Sequence, residues 1–429
     1  MPAALAPVAI AGPVVLAGAA WLLGLRLGHA RWLPLAVLGI AVLGIIAALI
    51  LPGLLADVTR TRARLELDSA AAGVVAVGIV IGHVRGRRPS SLDLLVGIAL
   101  VAMVITDLAI VHSVYQRDLN LYLDAGHDFL AGRPVYAQVP LTVAPADLTQ
   151  LPFVYPPVTL PLFAALAALP QPLVSVFWLV LQLLAAFAAI RLVGVPSRWA
   201  GVLLLWPPFV QGVWVGNVAI WMVLIFALVP FRRFVVGLPA MFKFQAGVAG
   251  LWLIRERDWN ALGGAIGLVI ALVLITLPLV GIGAWSNWYH GLLAFQRTTV
   301  NIPGIRGLAL SRWIGELLAL TLAVAIAGIS LWAGRRASLA NLGLAGVAVS
   351  PTLYLHGLTL ALPGFLQLRA AVFWLLLIGT FSTGLKGWLW LILLVAALAP
   401  VIPQLRHQPS EAESDWQPLG RSDGPWPAS

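Results

Sequence analysis

Leu262–Ile282 reads LGGAIGLVIALVLITLPLVGI, a run without charge whose only polar side chain is Thr276. Coiled as a helix it rises about 30 Å, the thickness of a bilayer's hydrocarbon core, so it suits a membrane crossing. Comparable runs lie on either side. Val8–Leu27, Trp32–Leu55, Ser69–Val84 and Leu92–His112 come first, and Pro157–Leu169, Val174–Val193, Trp199–Val213, Val218–Val229 and Val235–Ile254 follow a polar stretch. Beyond Arg312 come Trp313–Gly334, Leu339–Tyr354, Leu358–Leu368, Val372–Gly384 and Trp388–Val401.

Composition agrees with this pattern. The chain is 61% hydrophobic and 10% charged, with a mean hydropathy of +0.98, whereas a soluble domain carries about 25% charged residues. The expected fold is all-α, a polytopic transmembrane helical bundle of about 12–15 hydrophobic segments. Cysteine is absent, which excludes disulfides, thiolate metal sites and thiol nucleophiles. The net charge of +10 sits in clusters beside apolar runs, a signature of topology and not of nucleic-acid binding. Met1–Pro7 carries no basic leader, so the first run is expected to be a retained helix and not a cleaved signal.

Three parts are expected: a four-helix membrane region over 1–112, a second membrane region over 113–402 with external loops at 113–156 and 283–312, and a disordered cytoplasmic tail over 403–429. Arg85/Arg87/Arg88, Arg255/Arg257 and Arg335/Arg336 fall on one side if every span crosses. The positive-inside rule makes that side cytoplasmic and places both polar segments on the other face. Arg60/Arg62/Arg64 and Arg232/Arg233 break this count. The short segments around Arg232, with Pro207-Pro208 or Pro239, suit a re-entrant turn.

The polar stretch after the fourth run, RDLNLYLDAGHDFLAGRPVY from Arg117 to Tyr136, suits a short external helix lying at the membrane face. Asp118 and Tyr122 share a side at i and i+4, and Gly132 offers a C-cap. Asp118 reads either as a solvated acid or helix N-cap, or as a general base; Asp124, His127 and Asp128 read as solvated or interfacial. Lys243 stands between Phe242 and Phe244 in an apolar run. An ammonium there costs several kcal/mol unless it reaches water or an anion, so it either snorkels or serves a site. Trp285, Trp288 and Tyr289 suit either an aromatic belt or a sugar platform. No His or carboxylate pair has convincing metal spacing, and neither metal nor cofactor is expected.

The order of these elements resembles glycosyltransferase family 87, membrane mannosyltransferases of the GT-C type that take sugar from a polyprenyl phosphate. The family's leading motif has its counterpart in Asp118, Tyr122, Ala125, Gly132, Tyr136 and Tyr155-Pro156-Pro157. Its later Gly-Gln-x-Asn turn, Lys-Pro-Thr break and Ser-Pro segment ending in His are similar to Gly216-Asn217, Lys243-Phe244-Gln245 and Ser350-Pro351 with His356. The turn lacks its glutamine, Phe244-Gln245 replaces Pro-Thr, and four leading runs stand where one is common.

The resemblance implies a GT-C-like catalytic region and transfer of a hexose, mannose by analogy, from a polyprenyl phosphate donor to a lipid or glycan acceptor. The expected setting is the cell membrane, a bacterial plasma membrane, with the active site on the non-cytoplasmic face among membrane lipids. Asp118 is then the base of an inverting reaction and His356 a second catalytic candidate. Tyr122, Tyr155, Asn217, Lys243, Arg297 and Arg306 are candidates for substrate. Asn217 can bond sugar hydroxyls or cap a broken helix. Lys243, Arg297, Arg306 and His356 can meet the phosphate leaving group's charge. A transporter or lipid flippase, with Lys243 and Asp107 on a path through the bilayer, is the alternative; it lacks the inverted repeat such proteins commonly show.

Overall fold

The computed structural model describes residues 115–143, 151–195, 200, 203–204, 206–332, 335–368, 373, 388–399 and 401–402. The expected spans before Ser113, the basic clusters within them, Asp107, the span Val372–Gly384 and the tail 403–429 lie outside or largely outside these residues. The chain divides into two compact units, one of Met1–His112, Pro196–Pro207 and Phe365–Ser429, the other of Ser113–Val195 and Pro208–Gly364. In the first, Trp206 and Phe365 are fully buried, their rings 6.3 Å apart. The second contains every site residue expected from the sequence.

The fold is an all-α membrane architecture. Among the described residues it holds no strand, only an isolated parallel bridge between Gly307 and Leu353. Helix α1, Arg117–Leu130, buries Asp118, Leu119, Tyr122, Leu123, Ala125 and Gly126 along one face, as the spacing predicts. It ends at Gly132, whose φ of 66° opens two closing bonds, Gly132 N–H to Phe129 O at 3.1 Å and Arg133 N–H to Asp128 O at 2.8 Å. These are the two bonds of a Schellman cap. Helix α2, Leu160–Ala167, follows Tyr155-Pro156-Pro157 and packs against α1. Gly126 permits the approach, because a Cβ there would lie 2.5 Å from Phe163 O.

Helix α3, Gln171–Leu192, is long and apolar enough to cross a membrane. Helices α4, Pro207–Val215, and α5, Ala219–Leu228, pass that test only as a pair bent by 120°, a broken span or a re-entrant loop. The sequence suggests one span over Val235–Ile254. The chain instead breaks into the 3-10 turn Arg233–Val236, the single turn Gly237–Ala240, the 3-10 turn Phe244–Ala249 and α6, Gly250–Arg255. Pro239 and three glycines in this stretch cannot sustain a regular helix.

Helix α7, Trp259–Asn301, starts on an Asp258 cap and is non-helical only at Gly281, with φ 75° and ψ 157°, three residues after Pro278. The sequence suggests a loop from Gly283, yet the chain stays helical to Asn301, because amides and aromatics there lower hydropathy without breaking a helix. Gln138 Nε2 donates to Asn287 O at 3.0 Å, Leu141 N–H to Thr298 Oγ1 at 2.8 Å and Trp288 Nε1 to Val154 O at 3.1 Å. The segments on either side of Tyr136 and Tyr155 are thereby fastened to the second half of α7. Helix α8, Glu316–Trp332, packs on α9, Arg335–Ala348, which also meets the Phe244–Ala249 turn. Trp388–Leu398 forms α10 in the other unit.

Candidate active site

Gln116 precedes α1 in a left-handed conformation, φ 50°. Its backbone N–H donates to Trp214 O at 2.8 Å, its Nε2 to Ser175 O at 2.8 Å, and Ser175 Oγ donates to its Oε1. The first turn of α1 is thus tied to α3 and α4 before Asp118 begins. Asp118 is 7% exposed. Its Oδ1 accepts from Arg117 Nε at 2.7 Å, with Arg117 Nη2 also at 2.7 Å, and its Oδ2 accepts from Asn217 Nδ2 at 2.6 Å. Burial opposes ionisation of this carboxyl, but Arg117, the charge at His356 and the Asn217 amide outweigh it and hold Asp118 below the usual carboxylate range.

Asn217 sits at the bend between α4 and α5. Gly216, φ 74°, ends α4 in the left-handed region that suits glycine, and a Cβ there would stand 3.0 Å from Leu119 Cβ. Trp178 Nε1 donates to Gly216 O at 2.9 Å and Gln182 Nε2 to Asn217 O at 3.0 Å. Asn217 Oδ1 accepts the Ala219 N–H at 2.8 Å, so it also caps α5.

Tyr122 is fully buried, its ring stacked on Phe163 at 4.7 Å. Its hydroxyl lies 3.0 Å from that of Tyr155 and accepts weakly from Val218 N–H at 3.4 Å. Tyr136 donates to Tyr155 O at 3.1 Å. Burial pushes the Tyr122 phenol well above its ordinary value, so it stays protonated. The two tyrosines expected to meet substrate are packed beneath Asp118 with their hydroxyls engaged.

His356 is 2% exposed and stacks on Tyr354 with ring centroids 5.9 Å apart. Its backbone N–H donates to Gln211 Oε1 at 3.0 Å, while its Nδ1 has no hydrogen-bond partner among the described residues. Tyr354 also faces the Arg117 guanidinium at 5.7 Å, so one ring meets both Arg117 and His356. Lys243 is half-buried at the break before Phe244, in extended backbone, and lies near enough to Asp118, Arg117 and His356 to sense their charges. Among the described residues its ammonium has no hydrogen bond or ion pair.

The remaining candidates stand apart. Arg306 donates to Thr299 O at 3.1 Å and pairs with Glu316 at 2.8 Å. Its loop braces Tyr354, whose hydroxyl donates to Ile305 O at 3.0 Å. Arg297 is exposed on α7, and no bond ties it to the cluster among the described residues. Those residues contain no group of three or more His, Asp or Glu placed to hold a metal ion. Sequence reasoning gave no role to Arg117, Gln211, Gln182 or Tyr354. Two of these carried a signal, since Gln182 and Gln211 are amides inside otherwise apolar runs.

A buried carboxylate bonded to Arg117 and Asn217, with Lys243 and His356 near it, is set into a helical membrane fold. The model of glycosyltransferase family 87 matches residues 153–363, which include Tyr155, Asn217, Lys243 and His356 and begin after Asp118. The chain is 29% identical over 305 residues to the polyprenol-phosphate-mannose-dependent alpha-(1-2)-phosphatidylinositol mannoside mannosyltransferase of Mycobacterium tuberculosis, covering 59% of this chain and 70% of that one. No solved structure matches. Over these residues the chain is similar to glycosyltransferase family 87, and the two matches support a polyprenyl-phosphate-sugar-dependent glycosyltransferase.

Proposed function

We propose that the enzyme transfers mannose from a polyprenyl phosphate to a glycolipid acceptor on the non-cytoplasmic face of the cell membrane, with inversion at the anomeric carbon and Asp118 as the base. Asp118 accepts the proton of the acceptor hydroxyl as that oxygen attacks C1. The bond from C1 to the phosphate oxygen breaks and polyprenyl phosphate departs with the electron pair. The activity of the Mycobacterium tuberculosis relative, as its name gives it, supports a phosphatidylinositol mannoside as the acceptor to try first.

The observation that carries this reading is the unequal charge around Asp118. One carboxylate meets the guanidinium of Arg117, while among the described residues Lys243 nearby has no anion of its own and the buried His356 Nδ1 has no hydrogen-bond partner. A phosphate between them gives Lys243 a counter-charge and His356 Nδ1 a hydrogen-bond partner, and the same groups then stabilise the leaving group. Its prenyl chain stays in lipid, which fits a base carried on an amphipathic helix and not in a soluble lobe. Arg306 is left out of this role because Glu316 already holds it.

The test is Asp118→Asn. Transfer from radiolabelled polyprenyl phosphate mannose to phosphatidylinositol mannoside, or to the lipids of cells lacking the gene, should fall by at least about a hundredfold with insertion unchanged. Full activity in this variant removes Asp118 from the chemistry.

A further inference from the structure

The two oxygens of Asp118 are held by different kinds of donor. Oδ1 is occupied by Arg117, through Nε at 2.7 Å with Nη2 at the same distance. Oδ2 accepts a single bond from the neutral amide of Asn217, at 2.6 Å. Each carboxylate oxygen has two lone-pair positions, so Oδ2 keeps one without a donor among the described residues while Oδ1 is covered by a cation.

The Asn217 amide is not free to turn over. Its Oδ1 accepts the Ala219 N–H at 2.8 Å, and an inverted amide would set two donors against each other there. That bond therefore fixes Nδ2 toward the carboxylate. The backbone beneath is held by Gln182 and Trp178 from α3 and by the left-handed Gly216, and Asn217 itself is 4% exposed. An N-cap alone needs only an oxygen, which Ser, Thr or Asp would supply equally well. The nitrogen is what those residues lack.

We infer that Asn217 is a positioning residue, locked by α5 so that its amide fixes the plane of the Asp118 carboxylate and presents the open lone pair of Oδ2 to the acceptor hydroxyl. This rests on the reading of Asp118 as the base. In the transfer the hydroxyl proton passes to Oδ2, the acceptor oxygen bonds to C1, and the C1–phosphate bond opens with its electrons leaving on the phosphate. Asn217 exchanges no proton. It narrows the orientations from which the hydroxyl can approach.

Asn217→Asp separates this role from capping. It keeps an oxygen for Ala219 N–H, lacks the donor, and sets a second carboxylate against Asp118, so the pair retains a proton to higher pH. Asn217→Ser keeps a capping oxygen without the reach to Asp118. The full-length protein is purified, reconstituted with the lipid extract of cells lacking the gene, and supplied with labelled polyprenyl phosphate mannose across pH. Both variants should lose about ten- to a hundredfold in kcat while the donor's KM changes less than about threefold. The acid limb of kcat/KM should move to higher pH, further for Asp than for Ser.

Unchanged kcat and an unchanged acid limb in both variants would overturn the inference and leave Asn217 a cap. So would a raised KM at constant kcat, the mark of a residue that binds sugar. Full activity of Asp118→Asn in the same assay defeats the base itself, an outcome separable from either.

Discussion

Asp118 carries its charge between a guanidinium and an amide, and the guanidinium sets its titration. Its native pKa lies below its unfolded value, so the ionised carboxylate stabilises the fold fully above the ordinary value of about 3.9 and loses that contribution as pH falls through the lower native value. In Arg117→Gln the chief cause of the depression is gone. The acid limb of kcat/KM should then rise toward or past the ordinary carboxylate range, and the protein should lose on the order of 3 kcal/mol at neutral pH, because the carboxylate is left buried without its cation. A pH–rate profile and a thermal unfolding series check both; an unshifted acid limb would mean that Arg117 does not set the base. That Asp118 and Tyr122 share a helix face was legible in the sequence because they stand at i and i+4. Asn217 stood there as a candidate for sugar or a cap, but its bond to Asp118 was not legible, because 99 residues separate the two and only folding joins them.

At the scale of elements, the site depends on how closely α1 lies on α2. In Gly126→Val the added Cβ meets Phe163 O at 2.5 Å, so the two helices must part. The expected cost is about 1–3 kcal/mol, with activity reduced further because α1 carries Asp118 out of register with Asn217. A lower melting temperature of the detergent-solubilised variant with little remaining transfer checks this, and wild-type values would show that the contact is unimportant. Helix α1 was readable because its apolar residues recur at helical spacing and Gly132 marks its end. The broken stretch from Arg233 to Arg255 was not, since uniformly high hydropathy covers helix and irregular backbone alike. The helical run past Gly283 was hidden for the opposite reason: its amides and indoles resemble a loop in composition, though nothing in them stops a helix.

The whole molecule must present this cluster to one side of a membrane, and the absence of cysteine makes that side directly measurable. Arg133, exposed just beyond α1, can be replaced by cysteine as the protein's single thiol. A membrane-impermeant maleimide added to intact cells should label Arg133→Cys without permeabilisation. Labelling only after the membrane is opened would place α1 on the cytoplasmic face and end the proposed use of a polyprenyl phosphate donor from outside. Helix α7 has a contour of about 65 Å at 1.5 Å per residue, about twice the hydrocarbon thickness, and its non-helical residue, Gly281, has open space where a side chain would go. The arm beyond that joint grips Val154 through Trp288 and the Gln138–Leu141 strap through Asn287 and Thr298. The angle at Gly281 therefore sets where the chain next to Tyr155 lies, so Gly281→Ala, strained at φ 75°, should lower transfer from labelled donor with every side chain of the Asp118 cluster left intact.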